Sequence, residues 1–435
     1  MGKKIHDNKI YNILLSCYSG EKDSGDETML FCIREQLEKE LGTNFKFIAF
    51  SNNPDFSREF ISDIKYVYSG RYGLKDPSQK GVKQYGWIFK MIHELWKCDI
   101  LITGGGTILY DESNKYFVPF WFIKIFIAQL FKKHTVFYGI GVGPLDRKFS
   151  AFLMNTLGRN MDFISLRGVE SLKCMKKFKV PDHKVFLTAD PAVTIYCADE
   201  KMLQEYYVRE NFYINKNKET VVIVIREWFE RPNRGLEDAQ NGLSVVTSYE
   251  DYVKHFGEFA KYLIEKENDN IVFMPMGSMP PCDDRIVMKD VINYLHRKHI
   301  DTSDVFLMSD IADPRIMTSI MSKAKAVITT RFHGLIYATS QYIPAIAVAY
   351  TTKYYDYYNY LGLSEYVISM NEFSTDVLIK KYNQILEKKE EYLKVLEREM
   401  PHQFEMAQKN AKLVANLLKY SSIKRTCGVI HKNER

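Results

Sequence analysis

The densest chemistry in the chain sits in Val327-Ile328-Thr329-Thr330-Arg331-Phe332-His333-Gly334, where an apolar run delivers an arginine and a histidine just as a helical pattern starts. In open parallel sheets ligands bind at the carboxyl ends of strands. A helix start adds unpaired N–H groups and a partial positive charge, so with Arg331 the place suits a phosphate or carboxylate. Arg226 ends a second apolar run, 221–225. Two strand-end arginines beside one helix start, with Phe332 and Gly334 opening that helix, form an anion clamp. His333 supplies a group that titrates near neutral pH, as general acid–base work requires. Each residue also has a plainer reading: Arg226 could pair with Glu227 or another acid, and an isolated histidine is more often a hydrogen-bonded structural residue. Asp283-Asp284 reads equally as carboxylates facing the site or as a loop and N-cap pair.

Two glycine segments follow apolar runs in the first half. Thr103-Gly104-Gly105-Gly106-Thr107 removes every Cβ that would keep a ligand from backbone N–H groups, and could hold an anion or a sugar. A tight turn that demands glycine explains it equally well. Gly139-Ile140-Gly141-Val142-Gly143-Pro144 follows the next run, but Pro144 stands where a dinucleotide fingerprint needs its third glycine, and the unit is not the first. No GxxxxGK[ST], HExxH or spaced Cys/His cluster occurs, so neither a nucleotide cofactor nor a metal is expected.

The elements that must position these residues read as alternating short β-type runs and longer helical patterns, the signature of βαβ units and a mostly parallel sheet. Strands are expected at 11–16, 46–50, 100–103, 135–138, 163–166 and 185–187, with helices at 27–41, 83–96 and 149–159. The polar, poorly periodic stretch that follows reads as a connection. A second series gives strands at 221–225, 271–274, 305–307, 326–329 and 345–349, and helices at 249–267, 285–297 and 334–340. From 375 to 420 the pattern is helical and charged, broken only by Pro401. The expected fold is α/β: two Rossmann-like domains facing across a cleft (GT-B-like), with C-terminal helices. The expected boundaries are 1–200 for the first domain, 201–219 for the connection, 220–375 for the second domain, 376–420 for the helices and 421–435 for a frayed basic tail.

With 435 residues, 46% of them apolar, the chain is long enough for two or three cores and is neither disordered nor a disulfide scaffold. A net charge of +6 spread over such a surface lacks the concentrated basic face of a nucleic-acid binder. Seven scattered cysteines without a CxxC pair fit a reducing cytoplasm. The apolar run near the N-terminus is too short for a signal-peptide core, so secretion is not expected. Residues 116–131 (YFVPFWFIKIFIAQLF) are fewer than the roughly 20 a membrane span needs. They read as a helix buried against a sheet. The alternative is an interfacial anchor, with Trp121, Phe122 and Phe126 in lipid and Lys132 and Lys133 at the headgroups, giving peripheral contact at the inner face of the membrane.

A series of motifs, in order along the chain, resembles the polysaccharide pyruvyl transferase family. In the first half it comprises Ser24-Gly25-Asp26-Glu27, Gly104-Gly105-Gly106-Thr107 with Asp111, Gly139 to Pro144, Ile164-Ser165-Leu166-Arg167 with Glu170-Ser171, and Thr188-Ala189-Asp190-Pro191-Ala192. The second half continues it with Ile225-Arg226, Pro275 with Asp283-Asp284, Arg331-Phe332-His333, and Tyr350 with Lys353. The match covers about residues 11–420, and the ordered set is specific where single motifs are not.

The resemblance implies a GT-B-like pair of domains and transfer of a pyruvyl group from phosphoenolpyruvate to sugar hydroxyls, usually as a cyclic ketal in a surface polysaccharide or its precursor. It places the donor at Arg226, Arg331 and His333, with Phe332, Gly334 and Lys353 beside them. It puts the acceptor, a sugar or lipid-linked oligosaccharide, on the side of Asp26, Gly104, Gly105, Gly106, Thr107 and Arg167. Two departures bear on acceptor identity: Asp23-Ser24 stands where the family usually has Asn shortly before Gly-Asp-Glu, and Gly168-Val169 replaces the acid expected after Arg167. Two other functions fit the same domains: a GT-B glycosyltransferase using a nucleotide sugar, and a catalytically silent sugar-binding component of a polysaccharide assembly system.

Overall fold

Runs such as Thr220–Val224 (TVVIV) and Ala345–Ala349 (AIAVA) are apolar or nearly so throughout, and both are buried along their whole length. Strands of this kind are covered on both faces, as parallel sheets under helices require. The computed structural model describes residues 9–70, 85–111, 115–226, 248–280 and 282–430, with side chains placed as far as Tyr420. The chain divides into two compact α/β units. The first comprises Met1–Glu21, Met29–Pro191 and Glu405–Arg435; the second comprises Lys22–Thr28 and Ala192–Phe404.

In the first unit the strands are β1 (Tyr11–Ser16), β2 (Phe45–Ser51), β3 (Lys65–Tyr68), β4 (Ile100–Gly104), β5 (Thr107–Leu109), β6 (His134–Val142), β7 (Phe163–Leu166) and β8 (Val185–Leu187). They run parallel in the order β3-β2-β1-β4-β6-β7-β8, with β5 paired to β6 off this path. The second unit holds β9 (Thr220–Val224), β10 (Asn270–Phe273), β11 (Val305–Leu307), β12 (Ala326–Thr329), β13 (Ala345–Ala349) and β14 (Val367–Ser369). Their order is β11-β10-β9-β12-β13-β14, also all parallel. Both sheets are thus Rossmann-like. In each, the chain reverses its direction of travel beside the first strand, so that connections diverge between β1 and β4 and between β9 and β12. Those switch points are where such sheets open a crevice at their carboxyl edge.

Around the first sheet lie helices α1 (Ser24–Leu41), α2 (Pro54–Phe60), α3 (Gly86–Lys97), α4 (Phe117–Leu130) and α5 (Lys148–Leu153). Helix α4 is the apolar segment singled out above. Trp121 and Phe122 are buried in the core with Phe137 and Ile140, which corrects their placement in lipid; Phe126 is exposed. Lys124 is buried too, its ammonium 3.7 Å from the Phe120 ring centroid. Pro119 is tolerated because it falls in the first turn, where its missing N–H breaks no helical bond. Among the described residues no helix is long and apolar enough to cross a membrane.

Several boundaries differ from expectation for physical reasons. Gly139 to Val142 continues β6 rather than following it. The register of β6 against β7 shifts between Phe137 and Ile140, and Gly139 takes φ +56° there, with Pro191 2.8 Å from where a Cβ would sit. Strands β3, β5 and β14, three or four residues long, are additional to the expected ones. The expected connection contains a helix, Glu200–Arg209, capped by the Asp199 side chain on the Met202 N–H. The last helix, Lys389–Ile430, runs through Pro401 and on past 420, where a frayed tail was expected; residues 431–435 lie outside the described residues.

Candidate active site

Two residues past β9, Arg226 stands at the switch point of the second sheet, and Arg331 leaves the adjacent β12 at the same edge. The second unit therefore brings both arginines to one place, along with His333 on the helix Phe332–Ser340. Local bonding fixes the turn: the Arg331 N–H donates to Thr329 Oγ1 at 3.0 Å, and that hydroxyl donates to the Arg331 carbonyl. Gly334 is required by this packing, since a Cβ would lie 2.5 Å from Thr329 Oγ1.

The two guanidinium groups have different company. Arg331 donates to Asp284 through Nε (2.8 Å) and Nη2 (2.7 Å), and through Nη1 to Asp23 (3.0 Å). Asp284 is 1% exposed and also accepts the Met276 and Gly277 N–H groups. It is neither a solvated loop residue nor a side-chain N-cap, but the buried counter-ion of Arg331. Burial pushes its carboxyl upward against the pull of Arg331. Asp283 pairs instead with Arg285, outside this cluster.

Arg226 is equally buried, yet among the described residues no carboxylate pairs with it. Its Nη1 donates to the Tyr350 hydroxyl (3.0 Å), its Nη2 approaches Cys282 Sγ (3.6 Å), and its buried Nε has no hydrogen-bond partner. Glu227, the acid expected as an alternative partner, lies outside the described residues. Lys353 shares Tyr350 with Arg226, its ammonium 5.7 Å from that ring and 5.5 Å from the Phe332 ring. Phe332 is itself buried against Tyr354 and Tyr357, and so serves as packing.

The segment Lys22–Thr28 completes the cluster. Asp23 bridges to Gly277, and the Ser24 N–H donates to the Met276 carbonyl. Tyr337 binds Ser24 Oγ at 2.8 Å and also hydrogen-bonds Thr28. Gly25 packs on the His333 imidazole so closely that a Cβ would overlap the ring. Burial raises the Asp23 carboxyl, but Arg331, His333 and Arg226 together outweigh it and hold it below its ordinary range. Asp26 follows in the same segment, and so belongs to this unit rather than with the other residues expected on the acceptor side.

Those others gather at the carboxyl edge of the first sheet. Gly105 and Gly106 both have positive φ and pack on Met29, and a Cβ on Gly104 would lie 2.7 Å from the Tyr138 carbonyl, so the turn demands glycine. Arg167 donates to Asp190 (2.5 Å) and to Thr107 Oγ1 (2.8 Å), bracing β5, β7 and the loop after β8. Cys282 carried no signal in the sequence, whereas Tyr350 stands in the motif series with Lys353 and Asp23 stands out as a departure from it.

The polysaccharide pyruvyl transferase family matches residues 24–352, from the helix start beside Asp23 to just past Tyr350. The chain belongs to this family. Its members modify polysaccharides, and the same direction comes from the amylovoran biosynthesis protein AmsJ of Erwinia amylovora, 24% identical over 300 residues that cover 68% of each chain. Among solved structures, the chain is similar in fold to the UDP-GlcNAc 2-epimerase of Neisseria meningitidis (TM-score 0.60, 16% identity, 94% of this chain and 100% of that one). It is also similar to Anabaena Alr3699/HepE in complex with UDP and glucose (TM-score 0.54, 10% identity, 94% and 100%). At these identities the likeness is one of fold, the GT-B-like pair of Rossmann-like units. This pyruvyl transferase family member carries its basic cluster in the second of them.

Proposed function

We propose that this protein transfers a pyruvyl group from phosphoenolpyruvate to two hydroxyls of one sugar, forming a cyclic ketal on a polysaccharide or its precursor. The observation that supports this reading best is Arg226: a buried guanidinium with a spare N–H and no carboxylate partner among the described residues, at a sheet's switch point. A desolvated cation of this kind is stabilised by an incoming anion. Phosphoenolpyruvate brings two, a carboxylate and a phosphate. Arg226 takes one, the N–H groups at the start of Phe332–Ser340 and Lys353 take the other, and Arg331 is held in place by Asp284 beside them. No metal or cofactor enters this reading.

In the reaction a proton goes to the donor's methylene carbon, which makes C2 electrophilic. One sugar hydroxyl adds to C2 and loses its proton. The C2–O bond to phosphate then breaks, phosphate departs with its electron pair, and the second hydroxyl closes the ketal and loses its proton in turn. His333, set between Gly25 and Phe332, carries protons in these steps. General acid–base groups contribute about 10²–10⁴-fold.

The test is incubation with phosphoenolpyruvate and a panel of glycosides, following phosphate release. His333→Ala lowers turnover by roughly that factor while stabilisation by phosphoenolpyruvate persists. Phosphate release at an unchanged rate removes His333 from the chemistry. Stabilisation by a nucleotide sugar and not by phosphoenolpyruvate replaces the donor.

A further inference from the structure

Helices α3, α4 and α5 pack side by side against the first sheet, in that order. Right-handed crossovers from β3 to β4, β4 to β6 and β6 to β7 all travel in one direction, so the three helices cover the same face of that sheet. Their outward surfaces therefore form one face of the first unit. That face is apolar: Phe89 on α3, Ile123, Phe126 and Leu130 on α4, and Phe149 and Phe152 on α5 are 45–76% exposed. The rings of Phe149 and Phe152 stack on each other at 6.3 Å, in the open. Isolated exposed apolar residues are ordinary, but adjoining ones on three neighbouring helices mark an interaction surface.

Among the described residues the charges around this face are mostly positive. No Asp or Glu occurs from Lys115 through Leu145. Lys90 on α3, Lys132 after α4, and Arg147 and Lys148 at the start of α5 are exposed. Among the described residues, Glu94 on α3 is buried against Lys65, and Asp146 before α5 pairs with Lys177. A second copy of the same face would set cation against cation. An anionic, apolar-cored surface complements both features.

We propose that this face of the first unit docks on the surface of a lipid bilayer rich in anionic headgroups, with the α4 and α5 side chains entering the acyl boundary and the lysines meeting the headgroups. The docking does not rest on the pyruvyl transfer reading, and holds for any chemistry at the second unit. It differs from a spanning or buried-helix arrangement: Trp121, Phe122 and Lys124 stay in the core, and only the outward third of α4 enters lipid.

Flotation of the full chain with vesicles tests it. The chain floats with vesicles of phosphatidylcholine containing about one third phosphatidylglycerol, and less with pure phosphatidylcholine or at high salt. Phe126→Glu with Phe152→Glu lowers the binding constant about tenfold or more at an unchanged melting temperature, as does Lys132→Glu with Lys148→Glu. Ile123→Ser with Phe126→Ser gives the same loss without adding charge, and decides the matter where the glutamate pair melts early. Absence of flotation, or flotation indifferent to the lysine substitutions, overturns the proposal. So does a dimer in sedimentation that Phe126→Glu breaks in a chain that ignores vesicles.

Discussion

Arg331 and Asp284 form a two-bonded ion pair in the interior of the second unit, Nε to Oδ2 at 2.8 Å and Nη2 to Oδ1 at 2.7 Å, between residues 47 apart in sequence. The pair closes the loop Met276–Gly277 onto the end of β12, because the same carboxylate accepts both loop N–H groups. Removing Asp284 leaves the buried Arg331 with Asp23 as its one carboxylate partner among the described residues. Asp284→Ala is expected to lower stability by about 3–5 kcal/mol. Replacing both, as Arg331→Met with Asp284→Leu, costs less than Asp284→Leu alone. Urea unfolding of Asp284→Leu, Arg331→Met and the double variant measures it, and additive losses would show the pair to be uncoupled.

Arg226 is held more loosely. No carboxylate is in ion-pair contact with it among the described residues, but Asp284 and Asp23 act on it through charge, so Arg226→Met is expected to lower stability, and by less than Asp284→Ala does. Donor affinity falls about 10–100-fold, the loss expected for hydrogen bonds to a charged group. Titration with phosphoenolpyruvate against the melting curve reads both. A variant that unfolds early and still binds the donor places Arg226 in the scaffold alone.

Gly25 sits in the first turn of α1, where alanine ordinarily stabilises a helix by about 0.5–1 kcal/mol. Here a Cβ would collide with the His333 ring. Gly25→Ala is expected to lower kcat by about tenfold or more without that gain, by turning the imidazole aside. Full activity with added stability would show that the ring has room to move.

Asp23 gives the site an acid limit. Its carboxyl is held below its ordinary value of 3.8 in the folded protein, so the folded chain binds fewer protons than the unfolded one between the two values. Its contribution is complete above 3.8 and is lost as pH falls through the lowered value. Asp23→Asn, which keeps the shape, is expected to be less stable than the natural chain by about 1–2 kcal/mol at neutral pH. The gap closes in strong acid. A gap independent of pH would mean the carboxylate's charge plays no part.

The strands and their ends were legible in the sequence because parallel strands covered on both faces leave unbroken apolar runs, and Arg226, Arg331 and His333 stand where two of those runs stop. Gly139 was read one position outside its strand because a bulge leaves no mark on composition. Pro401 was read as a break, although tertiary packing carries the helix through it. The pairing of Asp23 with Arg331 spans 308 residues, and nothing local announces it. Asp284 looked like a cap or a solvated loop because burial, which decides between those and a counter-ion, belongs to the folded chain alone. The glycine turn at Gly104 to Gly106 was legible as a turn, and its positive φ values match that reading.

The second unit is discontinuous: Lys22–Thr28 belongs to it although the chain on either side belongs to the first. A gene fragment beginning at Ala192 therefore encodes a sheet whose Arg331 lacks Asp23 and whose His333 lacks its glycine neighbour. Such a fragment is an unsuitable cassette for swapping donor specificity between relatives. Any chimaera has to carry the short peptide around Asp23 along with the distal half.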